Sequence, residues 1–216
     1  MTKIFVDLEM NPMTRKERIV SGGFMKREII EIGAVMLDEK DNEISLFNEY
    51  VRPLKNELIC DDISRLTGIS TKMVIGADTL QDVIERFIQW CGNDYEIYSW
   101  SDTDYYQISK EVRFKEIDCH GLDSLVDQAN WIDYQIQYMN MFGYKRLMRL
   151  RDAIDIAGLD FQGKAHGALA DARTTAYLYR EAKGARLTGL MSEIKAGHEE
   201  FSVSLGSLFD FSQMAG

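Results

Sequence analysis

The stretch Lys3-Ile-Phe-Val-Asp-Leu-Glu9 alternates with a period of two, the mark of a half-buried strand. Ile4, Val6 and Leu8 fall on one face, and Phe5, Asp7 and Glu9 on the other. That alternation sets the two carboxylates about 7 Å apart along the strand. Two acids at the end of a core strand have no packing rationale and need partners. The next residues, 10 to 27, read as a loop punctuated by Pro12, Ser21, Gly22 and Gly23. Between Met13 and Arg27 this loop carries Arg15, Lys16, Arg18, Lys26 and Arg27 against Glu17 alone, a local excess of positive charge. Ile29 to Leu37 is a nearly continuous apolar strand, Asp41-Asn42 a turn, and Ile44 to Val51 a third strand ending at Arg52-Pro53. Three strands in succession predict an antiparallel meander.

Beyond the meander the period changes. Leu80, Val83, Ile84, Phe87, Ile88 and Cys91 fall on one helical face, with Thr79 as N-cap and Gly92-Asn93 as the stop. Glu96 to Trp100 is a short strand, after which Ser101 or Asp102 caps a helix through about Phe114. Asn130 to Tyr134 is a further strand. Leu147, Leu150, Ile154 and Ala157 mark a helix that Gly158 ends. After the loop 160–167 a last helix runs to about Lys183, with Leu169, Ala172, Ala176 and Tyr179 inward. The order predicts an α/β fold in which a mixed sheet, the meander plus parallel strands, is flanked by helices. Residues 1–183 form one domain. Residues 184–216 form an appendage with a polar linker and an apolar end, Phe201 to Phe211, suited to docking in a homodimer or on a protein partner.

At 216 residues the chain has length for one full core. Apolar residues at 45% and charged residues at 28% exclude a disordered or fibrous chain. No run is long and apolar enough for a membrane span, and the first residues lack the pattern of a signal peptide. Cys60, Cys91 and Cys119 are lone and widely spaced, which argues against a zinc site or a disulfide framework and for a reducing cytoplasm. A net charge of −10 argues against broad coating of nucleic acid, but not against a strand end clamped by metal ions.

Four acids stand at the ends or starts of elements: Asp7 and Glu9 on strand one, Asp104 at the helix after the fourth strand, and Asp171 early in the final helix. His166 lies five residues before Asp171. Brought to one cleft, four carboxylates repel one another unless divalent cations neutralise them. Oxygen ligands without cysteine suit Mg²⁺ or Mn²⁺. Asp102 competes with Asp104 and reads well as an N-cap, whereas Asp104 has apolar Ile108 one turn on.

Three motifs carry a resemblance: Phe5-Val-Asp-Leu-Glu9, Ser99-Trp-Ser-Asp-Thr-Asp104 and His166-Gly-Ala-Leu-Ala-Asp171. In this order and spacing the chain resembles the DEDDh 3′→5′ exonucleases, the DnaQ-like branch of the ribonuclease H-like fold. Ile29-Ile-Glu-Ile-Gly-Ala34, Tyr50-Val-Arg-Pro53 and Leu66-Thr-Gly-Ile69 support it and look most like the ERI-like and KapD-like branch. The match spans about residues 3 to 183. One departure is Thr103, which stands where that branch often has an aromatic residue, while Tyr105 follows the acid instead.

The resemblance implies two-metal hydrolysis, with the ions roughly 3.5–4 Å apart. Asp7, Glu9 and Asp171 would hold the ion of the attacking water, and Asp7 with Asp104 that of the leaving group. His166 would be the base, since an imidazole suits proton transfer at neutral pH. The products would be nucleoside 5′-monophosphates released from the 3′ end of single-stranded RNA or short 3′ overhangs. DNA repair or proofreading is the alternative, and a non-catalytic nucleic-acid scaffold a third reading. The sugar preference rests on 2′-OH contacts that no motif reveals. The resemblance also places Leu8 and Met10 against the terminal nucleotide, though Leu8 reads equally as core. Trp100 and Tyr105 are available for base stacking, with a buried strand-end role as the other reading of Trp100. The run Lys145, Arg146, Arg149 and Arg151 reads as a solvated helix face or as a track for substrate phosphates, with the first favoured, and the basic loop from Arg15 to Arg27 is the better candidate for such a track.

Overall fold

The computed structural model describes residues 1–184 and Gly189. Its elements run β1 (Thr2–Pro12), α1 (Arg15–Val20), β2 (Arg27–Leu37), β3 (Glu43–Tyr50), α2 (Asp61–Thr67), α3 (Thr71–Val74), α4 (Leu80–Cys91), β4 (Tyr95–Ser99), α5 (Thr103–Phe114), α6 (Leu122–Val126), β5 (Trp131–Asp133), α7 (Tyr134–Phe142), α8 (Leu150–Ala157) and α9 (Ala168–Ala182). The sheet order is β3-β2-β1-β4-β5. β1 pairs antiparallel with β2, and β2 antiparallel with β3. On its other edge β1 pairs parallel with β4, which pairs parallel with β5. This is the mixed sheet that the sequence predicts, with the meander on one side of β1 and the parallel strands on the other.

The alternation of β1 divides the core in two. Ile4, Val6 and Leu8 pack with Leu80, Val83, Phe87, Ile108 and Val112 of α4 and α5. Phe5 faces the opposite layer, where Tyr98, Tyr134, Ala172, Ala176 and Tyr179 come from β4, α7 and α9. Its ring stacks on Tyr98 at 4.9 Å. Asp7 and Glu9 therefore emerge on the α9 side. The expected cap of α4 is present: the Thr79 hydroxyl accepts from the Asp82 N–H, and the Asp82 carboxylate accepts from the Thr79 N–H at 3.1 Å.

Several expectations need correction. The segment 10–27 is not a loop throughout: β1 continues to Pro12, which pairs with Arg27, and Thr14-x-x-Glu17 closes a capping box that starts α1. A register shift between Glu9 and Met10 lets β1 continue past the acids. Leu147 lies outside α8 and is exposed. Asp102 occupies the N-cap position of α5 without a side-chain cap bond, so neither reading of it as a cap side chain holds. Helices α2, α3, α6 and α7 had no counterpart in the sequence reading. The appendage 184–216, with its apolar end and the homodimer or partner expected there, lies outside the described residues apart from Gly184 and Gly189.

Candidate active site

Across the β1–β2 ladder Asp7 stands opposite Gly33 and Glu9 opposite Glu31. The start of α9 lies directly on this patch. A Cβ on Gly33 would sit 2.1 Å from the Leu169 nitrogen and 2.2 Å from the Ala168 carbonyl carbon, so only a glycine admits the helix. Gly167, at the N-cap position, has no side chain to satisfy the helix's first N–H groups. Glu31 supplies the cap from the sheet: buried, it accepts the Ala168 N–H at 3.1 Å through Oε2. Arg173 to Glu43, and Lys183 to Asp41 at 2.9 Å, tie the rest of α9 to the outer strands.

Seated this way, the first turn of α9 carries Asp171 to the acids of β1. One carboxylate oxygen from each of Asp7, Glu9 and Asp171 lies within 4.8 Å of the others, and each residue is half-buried. Asp104 comes from the first turn of α5 and is buried. It lies outside the tight trio, but its charge acts on Asp7 and Glu9. His166 sits on the exposed lip with φ of 62°, a left-handed backbone that is uncommon outside glycine. In that conformation its N–H reaches the Asp171 Oδ1 at 3.1 Å and fixes the carboxylate.

The electrostatics are those of crowded acids. Loss of hydration, then the charges of Asp104, Asp171, Glu9 and Glu31, hold the Asp7 carboxyl well above its ordinary range. Glu9 is pushed up to about 8 by burial and then by Asp171, Glu31 and Asp104. Burial and then Asp171 and Asp102 push Asp104 up to about 8. Asp171 rises to about 6 through burial, held back by the N–H and charge of His166. No cation of the protein is paired with the trio among the described residues. An oxygen-only donor set whose members resist ionisation beside one another fits hard divalent cations.

These shifts make a prediction. In the metal-free protein the cluster binds more protons folded than unfolded between the ordinary carboxylate range and about pH 8. Its contribution to stability is therefore full below about pH 4.5 and is lost as pH rises through the folded values. Divalent cations compete with those protons, so the rise in thermal midpoint on adding Mn²⁺ should grow from pH 5.5 to pH 8.5, by about 5 °C or more. Scanning fluorimetry at the two pH values checks this, and an increment independent of pH would contradict it.

A cleft of about 590 Å³ opens beside the acids, lined by Trp100, Gln135, Arg149, Phe161 and His166 as well as Asp7 and Asp171. Of the four residues read as nucleotide contacts, Trp100 edges this cleft but is buried as the strand-end reading has it, packed on Tyr134 and Tyr138 with its indole N–H donated to the Met148 carbonyl at 3.1 Å. The other three lie elsewhere. Leu8 is buried in the α4–α5 core, because the strand period turns it away from Asp7. Met10 packs on the same core. Tyr105 donates to the Val126 carbonyl at 3.2 Å and packs on Trp131. Arg149 and Arg151 line the cleft, so half of the run read as a solvated face borders the site. The sequence reading assigned no role to Glu31 or Gly33. An acid inside an otherwise apolar strand was the available signal for Glu31.

The mixed sheet with helices on both faces, and acids gathered at the end of its first strand, define a ribonuclease H-like fold. The chain belongs to the Exonuclease (RNase_T) family, which it matches over residues 4–179. It is 31% identical over 158 residues to 3′-5′ exoribonuclease 1 of Homo sapiens, covering 69% of this chain and 44% of that protein. To 3′-5′ exonuclease Snipper of Drosophila melanogaster it is 28% identical over 167 residues, covering 68% of this chain and 57% of that protein. The chain thus spans about half the length of these curated relatives. Among solved structures, the nuclease domain of 3′hExo, a DEDDh family member bound to rAMP, superposes with a TM-score of 0.70 at 22% identity, covering 86% of this chain and 94% of that one. The structure of exonuclease I gives 0.62 at 16% identity, covering 87% and 42%. The family resemblance drawn from the three motifs is borne out, and so is the fold class.

Proposed function

We propose that the protein is a metal-dependent 3′→5′ exonuclease that releases nucleoside 5′-monophosphates from the 3′ end of single-stranded RNA or short 3′ overhangs. The observation that carries this reading is the meeting of Asp7, Glu9 and Asp171 within 4.8 Å, beside a cleft lined by His166. Relatives described as exoribonucleases support RNA over DNA. Asp7, Glu9, Asp104 and Asp171 would hold two Mg²⁺ or Mn²⁺ ions. Such ions, when bound, supply positive charge against the scissile phosphate and make a water there more acidic.

The chain's own residues do the rest. His166 stands on the exposed lip, where it takes the proton of the attacking water. Its backbone N–H meanwhile keeps Asp171 oriented. Trp100 and Phe161 form apolar walls that receive the terminal base, and Arg149 faces the phosphate from the cleft rim. The three free cysteines suit work in the reducing cytoplasm.

The test uses 5′-labelled RNA and DNA of one sequence with Mg²⁺ or Mn²⁺. A metal-dependent ladder shrinking from the 3′ end, faster on RNA, is the expected result. A ladder that is faster on DNA would overturn the substrate assignment, and no ladder with folded, metal-loaded protein would overturn the activity. His166→Ala should lower turnover about 100-fold at pH 7 while leaving Mn²⁺ affinity within a few-fold of the parent. A matching loss of metal binding would assign His166 to the ligand set instead.

A further inference from the structure

If the 3′ end of a strand enters the acidic cleft, the remainder must cross a protein of net charge −10. One surface inverts that charge. Arg15, Lys16, Arg18, Lys26 and Arg27, the five cations of the segment 13–27 around α1 (the α1 arm), are all exposed, as are Lys110 and Arg113 of α5. None of the seven forms an ion pair among the described residues. Three acids nearby are occupied or turned inward. Glu17 closes the capping box of α1. Glu28 and Glu111 are buried, and both hold the Lys115 ammonium, at 3.1 and 2.7 Å. Two of these acids thus face the interior and Glu17 is held by its own helix, while the seven cations face solvent; Glu116, three residues past Arg113, is an exposed acid just past the end of α5.

Aromatic rings are interleaved with the charge. Phe24 is 43% and Tyr106 42% exposed. The Arg113 guanidinium lies 5.9 Å from the Phe24 ring, and the Lys110 ammonium 5.7 Å from that of Tyr106. Tyr106, Lys110 and Arg113 share one face of α5 at i, i+4 and i+7. The stripe begins two residues beyond Asp104 and extends about 10 Å along the helix. There Gln107 donates to the Arg27 carbonyl at 3.1 Å, joining α5 to the arm. Rings for stacking beside unpaired cations are the means by which proteins hold single strands irrespective of sequence.

We propose that the outer face of α5 and the α1 arm form the track for single-stranded nucleic acid on the 5′ side of the nucleotide being removed. Bases stack on Tyr106 and Phe24, and phosphates lie on Arg113, Lys110 and the arm cations. This rests on the exonuclease reading above and adds the route of the strand.

The test compares the full chain with the variant Arg15→Glu, Arg18→Glu, Lys26→Glu, altered only at exposed positions. With a long RNA and a dinucleotide as substrates, the ratio of their kcat/KM values should fall about tenfold or more in the variant. The slope of log affinity against log salt should lessen by about 2, from three lost phosphate contacts. An unchanged ratio, or an equal loss on both substrates, would overturn the track. Fluorescence anisotropy with labelled RNA in chelator keeps the two readings separable. If the wild type cleaves neither substrate, the exonuclease reading fails, while a tenfold weaker variant in this binding assay still supports the track. Undiminished RNA binding by the variant, with loss of binding to anionic phosphatidylserine vesicles, would assign the patch to a membrane and overturn it.

Discussion

Gly33→Ala is expected to cut turnover about 100-fold or more and to lower the thermal midpoint by roughly 5 °C or more. The added methyl would meet backbone atoms of Ala168 and Leu169 at 2.1–2.2 Å, and backbone cannot rotate aside as a side-chain tip can. Either α9 lifts or the β1–β2 ladder bends. Lifting α9 moves Asp171 away from Asp7 and strains the Glu31 bond to the Ala168 N–H. Because Gly33 stands opposite Asp7, the other route displaces that acid. Gly76→Ala serves as the control, since a Cβ there meets nothing within 4 Å. Steady-state kinetics and thermal scans of both variants decide the matter, and full activity in Gly33→Ala would mean that α9 does not need this close seat.

Asp7→Asn separates function from stability with opposite signs. Turnover should fall about 10³-fold or more, because the carboxylate shared by both proposed ion sites is gone. In chelator at pH 8.5, however, the thermal midpoint should rise by about 3 °C or more. The Asp7 carboxylate, largely desolvated and without a hydrogen bond to lower its pKa among the described residues, faces Asp104, Asp171, Glu9 and Glu31. An isosteric neutral amide removes that repulsion while keeping the shape. The sign follows from linkage: a folded value above the unfolded one costs stability as pH rises, and the amide does not titrate. A lowered midpoint in chelator, with activity retained, would show Asp7 to be structural.

The elements that carry the acids were legible because each has a local signal. The period of two in β1 sorted Phe5 and Asp7 from Val6 and Leu8, and both faces pack as that sorting requires. The switch to helical period after Thr79 placed α4 and its cap. What escaped depends on contacts distant along the chain. Nothing near Gly33 or Glu31 announces that a helix 137 residues further on will land there. Tyr105 stands beside a motif acid, yet its helix position turns it toward Trp131, an orientation set by tertiary packing. The α1 arm is a different failure, since Thr14-x-x-Glu17 did announce a helix start, and the glycines after it masked the signal.

The seating of α9 has a consequence for how competence is acquired. Asp7 lies on β1, whereas α9, which completes the acid trio, begins some 160 residues further along the chain. A chain can pair β1, β2 and β3 and still hold only Asp7 and Glu9 of the four clustered acids. The same geometry makes α9 a latch on the acid trio: under the exonuclease reading, fraying at this one junction would stop hydrolysis while the sheet stays intact, and inactivation would precede unfolding.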